Sequence, residues 1–481
     1  MSASAPRPMV LAVILIGYLL VLIDVSILMV ALPRIRQDLG FTATGLSWAQ
    51  NAYTLTFGGL LLLGARAGDL LGRRRTFMLG IAIFMVASAG VAVAQSPGWM
   101  IAARAVQGVG AAALAPSTLA LLSTSFPPGP QRTRSMAAYG ALAGIGTSLG
   151  LLLGGALTQW WSWRVGFLLN VPVGLVAILA APRVLRETER HEGRLDAGAA
   201  ITSTVGVSAL VYGIVRSAAV GWTDPITLLA LAAGVVLINV FVISQRSAAQ
   251  PVMPLRLFAD RQRAGAYAAR FLFNGALVSF FFFMTQYLQG VSGDRPLTAG
   301  LAFMPITAAA FVAASATSRL TARLTTGLLA SLGCAAMLAG AAWISLLSPT
   351  TGYLGGLAVP MVIFGIGQGL GLSTLTTAGM AGVEPRDASV AGGLVNVSHH
   401  LGGAVGLGIL TTLFAAAGAD ETGRALLSSR VSAALTGAVV FLALALVITF
   451  VSQMAARRGH TGPSDAAVLA SCGTEPDRVP V

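Results

Sequence analysis

Fourteen apolar runs, most of them about twenty residues long, are the feature that most restricts how this chain can fold. A helix needs about 20 predominantly apolar residues to cross a bilayer, whereas the strands of membrane barrels have about ten residues of alternating polarity. The runs cover residues 9–31, 47–64, 77–94, 100–122, 136–157, 166–181, 198–215, 226–243, 267–288, 299–317, 328–347, 354–376, 392–414 and 431–451. We therefore predict an all-α polytopic membrane protein with 14 transmembrane helices.

Composition supports this assignment. Of the 481 residues, 56% are hydrophobic and only 10% are charged, whereas ordinary soluble domains carry about 25% charged residues. The first apolar run continues past Asp24 to residue 31, and no small-residue cleavage site follows it. We therefore interpret that run as an uncleaved span and not as a signal peptide.

The basic residues indicate orientation. The chain has 30 of them, all arginine, against 17 acidic residues, for a formal net charge of +13. In a soluble protein that balance would indicate nucleic-acid binding. With the N-terminus inside, the inner loops and tails carry 20 arginines, the outer loops seven, and the spans or their edges three. This positive-inside distribution predicts a multi-pass protein of the cytoplasmic membrane, with both termini cytoplasmic and no nucleic-acid partner. The arginine-only, alanine-rich composition favours a bacterial source.

An internal repeat divides the chain. The tetrapeptide at 107–110, Gln-Gly-Val-Gly, recurs 261 positions later as Gln-Gly-Leu-Gly at 368–371, and internal repeats are common in transporters. We predict a six-helix bundle at 1–185, two inserted linker helices and loops at 186–263, a second six-helix bundle at 264–454, and a disordered cytoplasmic tail at 455–481.

Glycines in the fifth span form a ladder. Gly146, Gly150 and Gly154 are spaced four residues apart, and Gly155 follows directly. Small residues at this spacing line one helix face and let another backbone approach closely. We predict a helix interface there, either a static packing surface or a sliding contact between the two halves.

Asp24 interrupts the first span. It lies seven residues from the outer end of the run, which places it ~10 Å deep at 1.5 Å per residue. An ionised carboxylate at that depth costs several kcal/mol unless it is paired. A group that is neutral in one environment and charged in another can carry a proton, so we predict proton coupling at Asp24; a satisfied structural carboxylate is the alternative.

Two arginines accompany it within the spans. Arg104 lies about four residues from the outer end of the fourth span, or ~6 Å deep, so both Asp24 and Arg104 fall in the outer half of the membrane. Pairing would favour the ionised aspartate, and loss of the pair the protonated one; snorkelling of Arg104 to the surface is the alternative. Arg270 lies nearer the inner surface, where snorkelling is favoured.

Several polar and aromatic side chains within the spans are candidates for a substrate cavity. They are Asn51, Tyr53, Gln107, Gln289, His399 and His400. Adjacent residues on a helix point about 100° apart, so only one of the two histidines can face a central cavity. No cluster of His, Cys or acidic residues accompanies them, so we predict no metal site.

The loop after the second span carries a family resemblance. It reads Gly-Ala-Arg-Ala-Gly-Asp-Leu-Leu-Gly-Arg-Arg-Arg over residues 64–75. It resembles the signature loop of the major facilitator superfamily, in which a glycine and then an aspartate precede Gly-Arg-Arg. The resemblance implies a major facilitator fold and a gating role for Asp69, Gly72, Arg73 and Arg74. Asp69 would sit near a helix start in the other half and latch the outward-facing state, because a helix N-terminus favours a carboxylate.

Two further motifs resemble the fourteen-span drug:proton antiporters of that superfamily. Residues 22–33 resemble their first-helix motif and residues 104–110 their fourth-helix motif, which implies proton coupling at Asp24 and a part in proton transfer for Arg104. One position departs from the pattern. Leu151 follows Gly150 where these antiporters have a helix-bending proline, which leaves antiport itself open to question.

The expected function is proton-coupled efflux of drugs, antibiotics or similar amphipathic small molecules by alternating access between the two halves. A major facilitator importer or a dedicated metabolite exporter is the alternative. We expect no cofactor and no ATP, since a chain without lysine cannot contain the standard phosphate-binding loop. The sequence shows no nucleophile–base pair and no sizeable extramembrane domain, so we do not expect an enzyme. A membrane enzyme or receptor remains the alternative from another class. The expected partners are the substrate, protons and membrane lipid, and the chain is expected to act as a monomer.

Overall fold

The computed structural model describes residues 7–126, 129–188, 196–248, 251, 253–384 and 387–460. Within those ranges the chain folds into α-helices joined by short loops, with one 3-10 helix at Leu255–Phe258 and one π-helical turn at Tyr353–Ala358. Fourteen stretches of the described chain are long and apolar enough to cross a membrane, which confirms the predicted class.

The helices fall into three groups along the chain. The first group is α1 (Arg7–Leu39), α2 (Ser47–Leu71), α3 (Arg73–Ala92), α4 (Pro97–Ser125), α5 (Pro130–Trp160), α6 (Trp163–Leu168) and α7 (Asn170–Val184). The inserted pair is α8 (Ala197–Val220) and α9 (Pro225–Ser247). The last group is α10 (Arg261–Gly290), α11 (Pro296–Ala302), α12 (Met304–Leu320), α13 (Thr326–Ser345), α14 (Val359–Gly379), α15 (Ala388–Ala416) and α16 (Gly423–His460). Two short helices, α6 and α11, each form one span together with the helix that follows.

Most helices extend beyond the apolar runs that predict them. The run at 9–31 lies within α1, which continues to Leu39 even though Pro33 lies inside it. The hydropathy pattern marks only the part of a helix that lies in the hydrocarbon layer, whereas helical hydrogen bonding continues into the polar headgroup region. For the same reason α16 continues to His460, so residues 455–460 of the predicted tail are helical. The rest of that tail lies outside the described residues.

Each half packs as a bundle, and the inserted helices lie at its edge. In the first half α4 packs against both α2 and α3, and in the second α10 packs against both α15 and α16. Helix α8 contacts α2 of the first half and α15 of the second, and α9 packs on α8. The insertion therefore lies along the seam where α2 and α15 meet.

Hydrogen bonds also join the two halves at one end of the bundle, which we call the opposite end. It lies across from residues 72–75, which are Gly72 and the first turn of α3 and which we call the arginine loop. Gln289 donates from Nε2 to the Val30 carbonyl oxygen at 2.8 Å, which joins α10 to α1. The Leu297 amide donates to Gln159 Oε1 at 3.2 Å, which joins the second half to α5. Gln289 thus lies at an interhelical contact of this end.

The glycine ladder of α5 serves two interfaces. A Cβ on Gly154 would lie 2.7 Å from Ile27 Cα, and Gly146 and Gly150 also face α1, so this part of the ladder packs within the first half. Gly155 faces the second half instead, where a Cβ would lie 2.7 Å from the Pro296 carbonyl oxygen. Helix α5 continues without a break through Leu151, the position where the resembling motif has proline.

Candidate functional site

Asp24 and Arg104 form an ion pair inside the first half. Arg104 Nη1 lies 2.5 Å from Asp24 Oδ2, and both side chains are 0% exposed. The predicted pairing of Asp24 with Arg104 is therefore present in the structure, and Arg104 does not snorkel to the surface. Because hydrogen bonds between ionised groups are about twice as strong as neutral ones, the pair is well suited to hold a carboxylate in its charged form.

Two amide side chains complete the shell around the carboxylate. Gln107 Nε2 donates to Asp24 Oδ1 at 2.6 Å, and Asn170 Nδ2 donates to the same oxygen at 3.0 Å. Both amides also donate to Ser88 Oγ, at 2.7 and 3.3 Å. Gln107, a predicted cavity residue, is therefore a direct ligand of Asp24. Neither Ser88 nor Asn170 was among the predicted site residues.

Arg104 is held by three further contacts. Its Nε donates to the Ala49 carbonyl oxygen at 3.0 Å, and its Nη1 donates to Gln107 Oε1 at 2.6 Å. The guanidinium carbon lies 4.3 Å from the centroid of the Tyr53 ring, within cation–π distance. Its Nη2 is buried and has no hydrogen-bond partner. Both N–H groups of this nitrogen therefore lack an acceptor.

Local backbone features bring these groups together. The sixth span is divided at Leu169, so Asn170 stands at the first position of α7 and its amide reaches α1. Gly108 lets α4 pack closely on α2, because a Cβ there would lie 2.5 Å from the Tyr53 carbonyl oxygen. That close packing places Tyr53 and the Ala49 carbonyl beside Arg104.

Protonation of Asp24 would change the stability of the buried Arg104 cation beside it. With Asp24 ionised, the pair is neutral as a whole and its hydrogen bonds are nearly complete. A proton on Asp24 removes the partner of Arg104, and breaking a buried pair in this way costs about 3–5 kcal/mol. The geometry is therefore compatible with a conformational change that depends on the protonation of Asp24.

Unpartnered polar atoms continue from this site along α2 into the interior. Both polar atoms of the Asn51 amide, the Tyr53 hydroxyl and Gln50 Oε1 are buried without a hydrogen-bond partner. Thr285 Oγ1 and Asn274 Oδ1 are in the same condition on α10 of the second half. Most buried polar groups in proteins are hydrogen-bonded, so these atoms are candidates to contact a polar ligand.

The two histidines lie on α15 beside the seam. The His400 ring packs against the Phe57 ring of α2 with centroids 4.0 Å apart and planes tilted by 39°, so it bridges the two halves. The His399 carbonyl oxygen accepts a hydrogen bond from Asn274 Nδ2 at 2.6 Å, and its Nδ1 has no partner. Gln289 is separate from this group, at the opposite end.

Arg270 corrects one expectation. Its side chain is 8% exposed and donates from Nη1 to the Leu372 carbonyl oxygen at 2.9 Å and to Thr376 Oγ1 at 2.7 Å. The snorkelling prediction is wrong, because α10 packs against α14 and α15 on this face and the guanidinium points at α14 instead of at the surface.

The arginine loop is fastened to the end of the sixth span. The Arg74 amide donates to Glu187 Oε1 at 3.0 Å, and the Arg73 amide donates to Thr188 Oγ1 at 3.1 Å. Asp69 pairs with Arg73 at 3.0 Å, one turn along the chain. Gly72 has a φ of 100°, and a Cβ there would lie 2.5 Å from Glu187 Oε1. Glu187 was not predicted, although an acid directly after the sixth span was the available signal.

A cavity of about 410 Å³ opens between the halves at the opposite end. Its lining includes Arg34, Arg36 and Gln289 together with Asp294, which lies in the loop between α10 and α11. Burial raises the pKa of the Asp294 carboxyl above its ordinary value.

Comparison with known proteins gives consistent matches over most of the chain. The model of the family described as Major Facilitator Superfamily matches residues 14–407. The chain is 38% identical over 467 residues to the cephamycin export protein CmcT of Amycolatopsis lactamdurans, covering 96% of this chain and 95% of that protein. It is 37% identical over 407 residues to the puromycin resistance protein pur8 of Streptomyces alboniger, covering 84% and 81%. Its fold is similar to the crystal structure of a bacterial homologue of the human lysosomal transporter Spinster, with a TM-score of 0.65, 19% identity, and coverage of 94% of this chain and 98% of that one.

Proposed function

The chain belongs to the major facilitator superfamily, and we propose that it exports antibiotics, drugs or similar amphipathic small molecules in exchange for protons. The observation that carries the proton part is the fully buried Asp24–Arg104 pair with its amide donors. The names of the two relatives, an export protein and a resistance protein, support the direction and the class of substrate.

The orientation follows from the arginines. The arginine loop and Arg183 lie at the same end of the bundle. Loops rich in arginine face the cytoplasm. Both termini are then cytoplasmic, and the opposite end, where Gln289 joins α1, faces outward. Asp24 receives its proton from outside and releases it inside as the halves exchange access. The membrane potential alone supplies about 2.3 kcal/mol per charge per 100 mV, so the cycle requires no ATP.

A dedicated exporter of one metabolite is the second candidate. Its support is the relative named for the export of a single antibiotic class and the unbroken α5 at Leu151, where the antiporter motif has proline. Transport of a chemically diverse panel separates the two: a multidrug exporter accepts several unrelated compounds, and a dedicated exporter accepts one scaffold.

Everted membrane vesicles from a host stripped of its own pumps provide the test. The panel contains puromycin, ethidium, 8-anilino-1-naphthalenesulfonate (ANS) and N-phenyl-1-naphthylamine (NPN), and the readout is proton release from acidified vesicles when each compound is added. Asp24→Asn removes the titratable group and keeps its shape. Asp420→Asn, at an exposed loop position, is the matched control.

The wild type and Asp420→Asn are expected to release protons with at least one panel compound, whereas Asp24→Asn releases none. Equal proton release by Asp24→Asn would exclude Asp24 as the proton carrier. Accumulation of a panel compound in the cytoplasm of intact cells, driven by the chain, would instead establish import.

A further inference from the structure

The second half contains a buried cation, Arg270, that forms no ion pair with any acidic residue in the ranges that the structure describes. Residues 264–454 include five acids, Asp294, Glu384, Asp387, Asp420 and Glu421, and all five lie between spans. Asp24, the acid in the middle of the first span, is engaged with Arg104 in the other half. In the part of the chain that the structure describes, Arg270 takes part in no ion pair.

The position of Arg270 makes this imbalance costly. It lies three residues inside the apolar run at 267–288, and the packing of the helices encloses its side chain, which is 8% exposed. One guanidinium nitrogen is bound by the Leu372 carbonyl and the Thr376 hydroxyl, and Nε is buried with no partner. Two neutral oxygens do not neutralise a full charge, and a buried charge without an ionised partner is costly.

The groups around Arg270 can receive an anion with polar substituents. His399 and His400 lie on α15, which packs against α10, and a neutral imidazole offers one N–H donor. His399 and His400 are half-buried instead of fully enclosed, and His399 Nδ1 is unpartnered. Asn274 Oδ1 and Gln368 Oε1 are buried acceptors without donors, ready for a hydroxyl or amide N–H of a ligand.

The same face lies at the junction of the two halves. Asn274 is one turn from Arg270 on α10 and donates to the His399 carbonyl oxygen. The His400 ring packs on Phe57 of α2, so an aromatic side chain of the first half adjoins this polar group. A ligand that spans the junction would meet a cation and hydrogen-bonding groups on one side and an aromatic ring on the other.

We propose that Arg270, with His399, His400 and Asn274, forms an anion-binding subsite, so that the exported compounds include amphipathic carboxylates or sulfonates. This assignment rests on the proposed export function and specifies its substrate class. Export of a monovalent anion with entry of one proton moves two positive charges inward, so the membrane potential contributes twice per cycle.

Two probes that differ by one anionic group test the proposal. ANS and NPN share the anilino-naphthalene scaffold, but only ANS carries a sulfonate, which is ionised throughout the accessible pH range. Initial transport rates of both are measured with the full-length protein in proteoliposomes under an imposed pH gradient. The ratio of the ANS rate to the NPN rate then isolates the contribution of the charge.

Arg270→Gln is expected to lower that ratio at least about tenfold, since a hydrogen bond to a charged group is worth more than one factor of ten. Its NPN rate should stay within about twofold of the wild type. Arg270→Lys keeps the charge and should retain most of the preference for ANS. Arg319→Gln, at an exposed position near the end of α12, is the matched control and should leave the ratio unchanged.

A second variant covers the case in which Arg270→Gln does not fold. Thr376→Asp places a carboxylate where the structure has an oxygen 2.7 Å from Arg270, so an internal anion would occupy the subsite. It should abolish the ANS preference while Arg270 remains.

The outcomes separate this proposal from the function on which it rests. An unchanged ANS-to-NPN ratio in Arg270→Gln or Thr376→Asp, or an equal loss of both rates in a variant that folds, overturns the subsite. A wild type that moves NPN and rejects ANS also overturns it, while export itself stands. A wild type that moves neither probe nor any other panel compound removes the proposed function, and the subsite with it.

Discussion

Replacement of Asn170 by leucine tests how the amide shell controls the proton on Asp24. Asn170 opens α7 and donates from Nδ2 to Asp24 Oδ1 at 3.0 Å. Leucine has nearly the same size and shape but no donor, so Asn170→Leu removes one hydrogen bond from the ionised carboxylate and leaves the Arg104 pair in place. The ionised form loses stability relative to the protonated form, and proton release requires a lower proton concentration.

The expected size of the effect follows from that single bond. A hydrogen bond to a charged group contributes about 1.5–3 kcal/mol, and about 1.36 kcal/mol corresponds to one pH unit. The pH midpoint of transport should therefore move toward higher pH by about 1–2 units. Ser88 Oγ also loses a donor at 3.3 Å but keeps its bond from Gln107, so its contribution is smaller.

The assay is the drug-driven proton release of everted vesicles, recorded at cytoplasmic-side pH values from about 5.5 to 9. Asn239→Leu is the matched control, because Asn239 is exposed on α9 and donates only within its own helix, to the Val235 carbonyl. A midpoint that stays in place, or one that moves toward lower pH, would refute the reasoning that Asn170 stabilises the ionised aspartate.

Three further substitutions test other parts of the account. Gly72→Ala places a Cβ against Glu187 at a residue with φ of 100°, so we expect the apparent melting temperature in detergent to fall by several degrees, corresponding to about 1–3 kcal/mol; wild-type melting would contradict the close contact. Gly154→Val forces α5 away from Ile27 and should reduce the yield of folded protein by gel filtration, whereas Gly140→Val, which meets nothing within 4 Å, should not; equal yields would refute the interface. Burial raises the pKa of Asp294, so the native state binds this proton more tightly than the unfolded state, and the ionised form costs stability that is recovered as pH falls through the native pKa. Asp294→Asn should therefore raise the melting temperature at pH 7.5 and lose that advantage toward pH 4; a difference that does not depend on pH would contradict the assignment.

The class of fold and the central pair were predictable because both depend on local, strongly constrained features. A span needs a fixed length of apolar residues, and an ionisable residue inside one is rare enough to indicate function. Counting residues from the span ends placed Asp24 and Arg104 in the same half of the membrane, and the structure joins them at 2.5 Å.

The surroundings of that pair were not predictable, because they depend on which helices meet. Asn170 reaches Asp24 across 146 residues of chain, and it does so only because the sixth span is divided at Leu169. The burial of Arg270 likewise depends on the packing of α14 beside α10, which no local pattern reports. Glycine spacing predicted an interface on α5. It did not predict that the ladder glycines pack on α1 whereas Gly155 packs on α11.

The claim that Asp24 couples transport to protons is tested most directly by comparing two modes of transport in one protein. Proteoliposomes containing the wild type or Asp24→Asn are supplied with the panel compound that the wild type accumulates fastest. Uphill accumulation under an imposed pH gradient and exchange of labelled for unlabelled compound without a gradient are then measured side by side. The account predicts that Asp24→Asn loses accumulation and keeps exchange. Accumulation at the wild-type level in Asp24→Asn would contradict it.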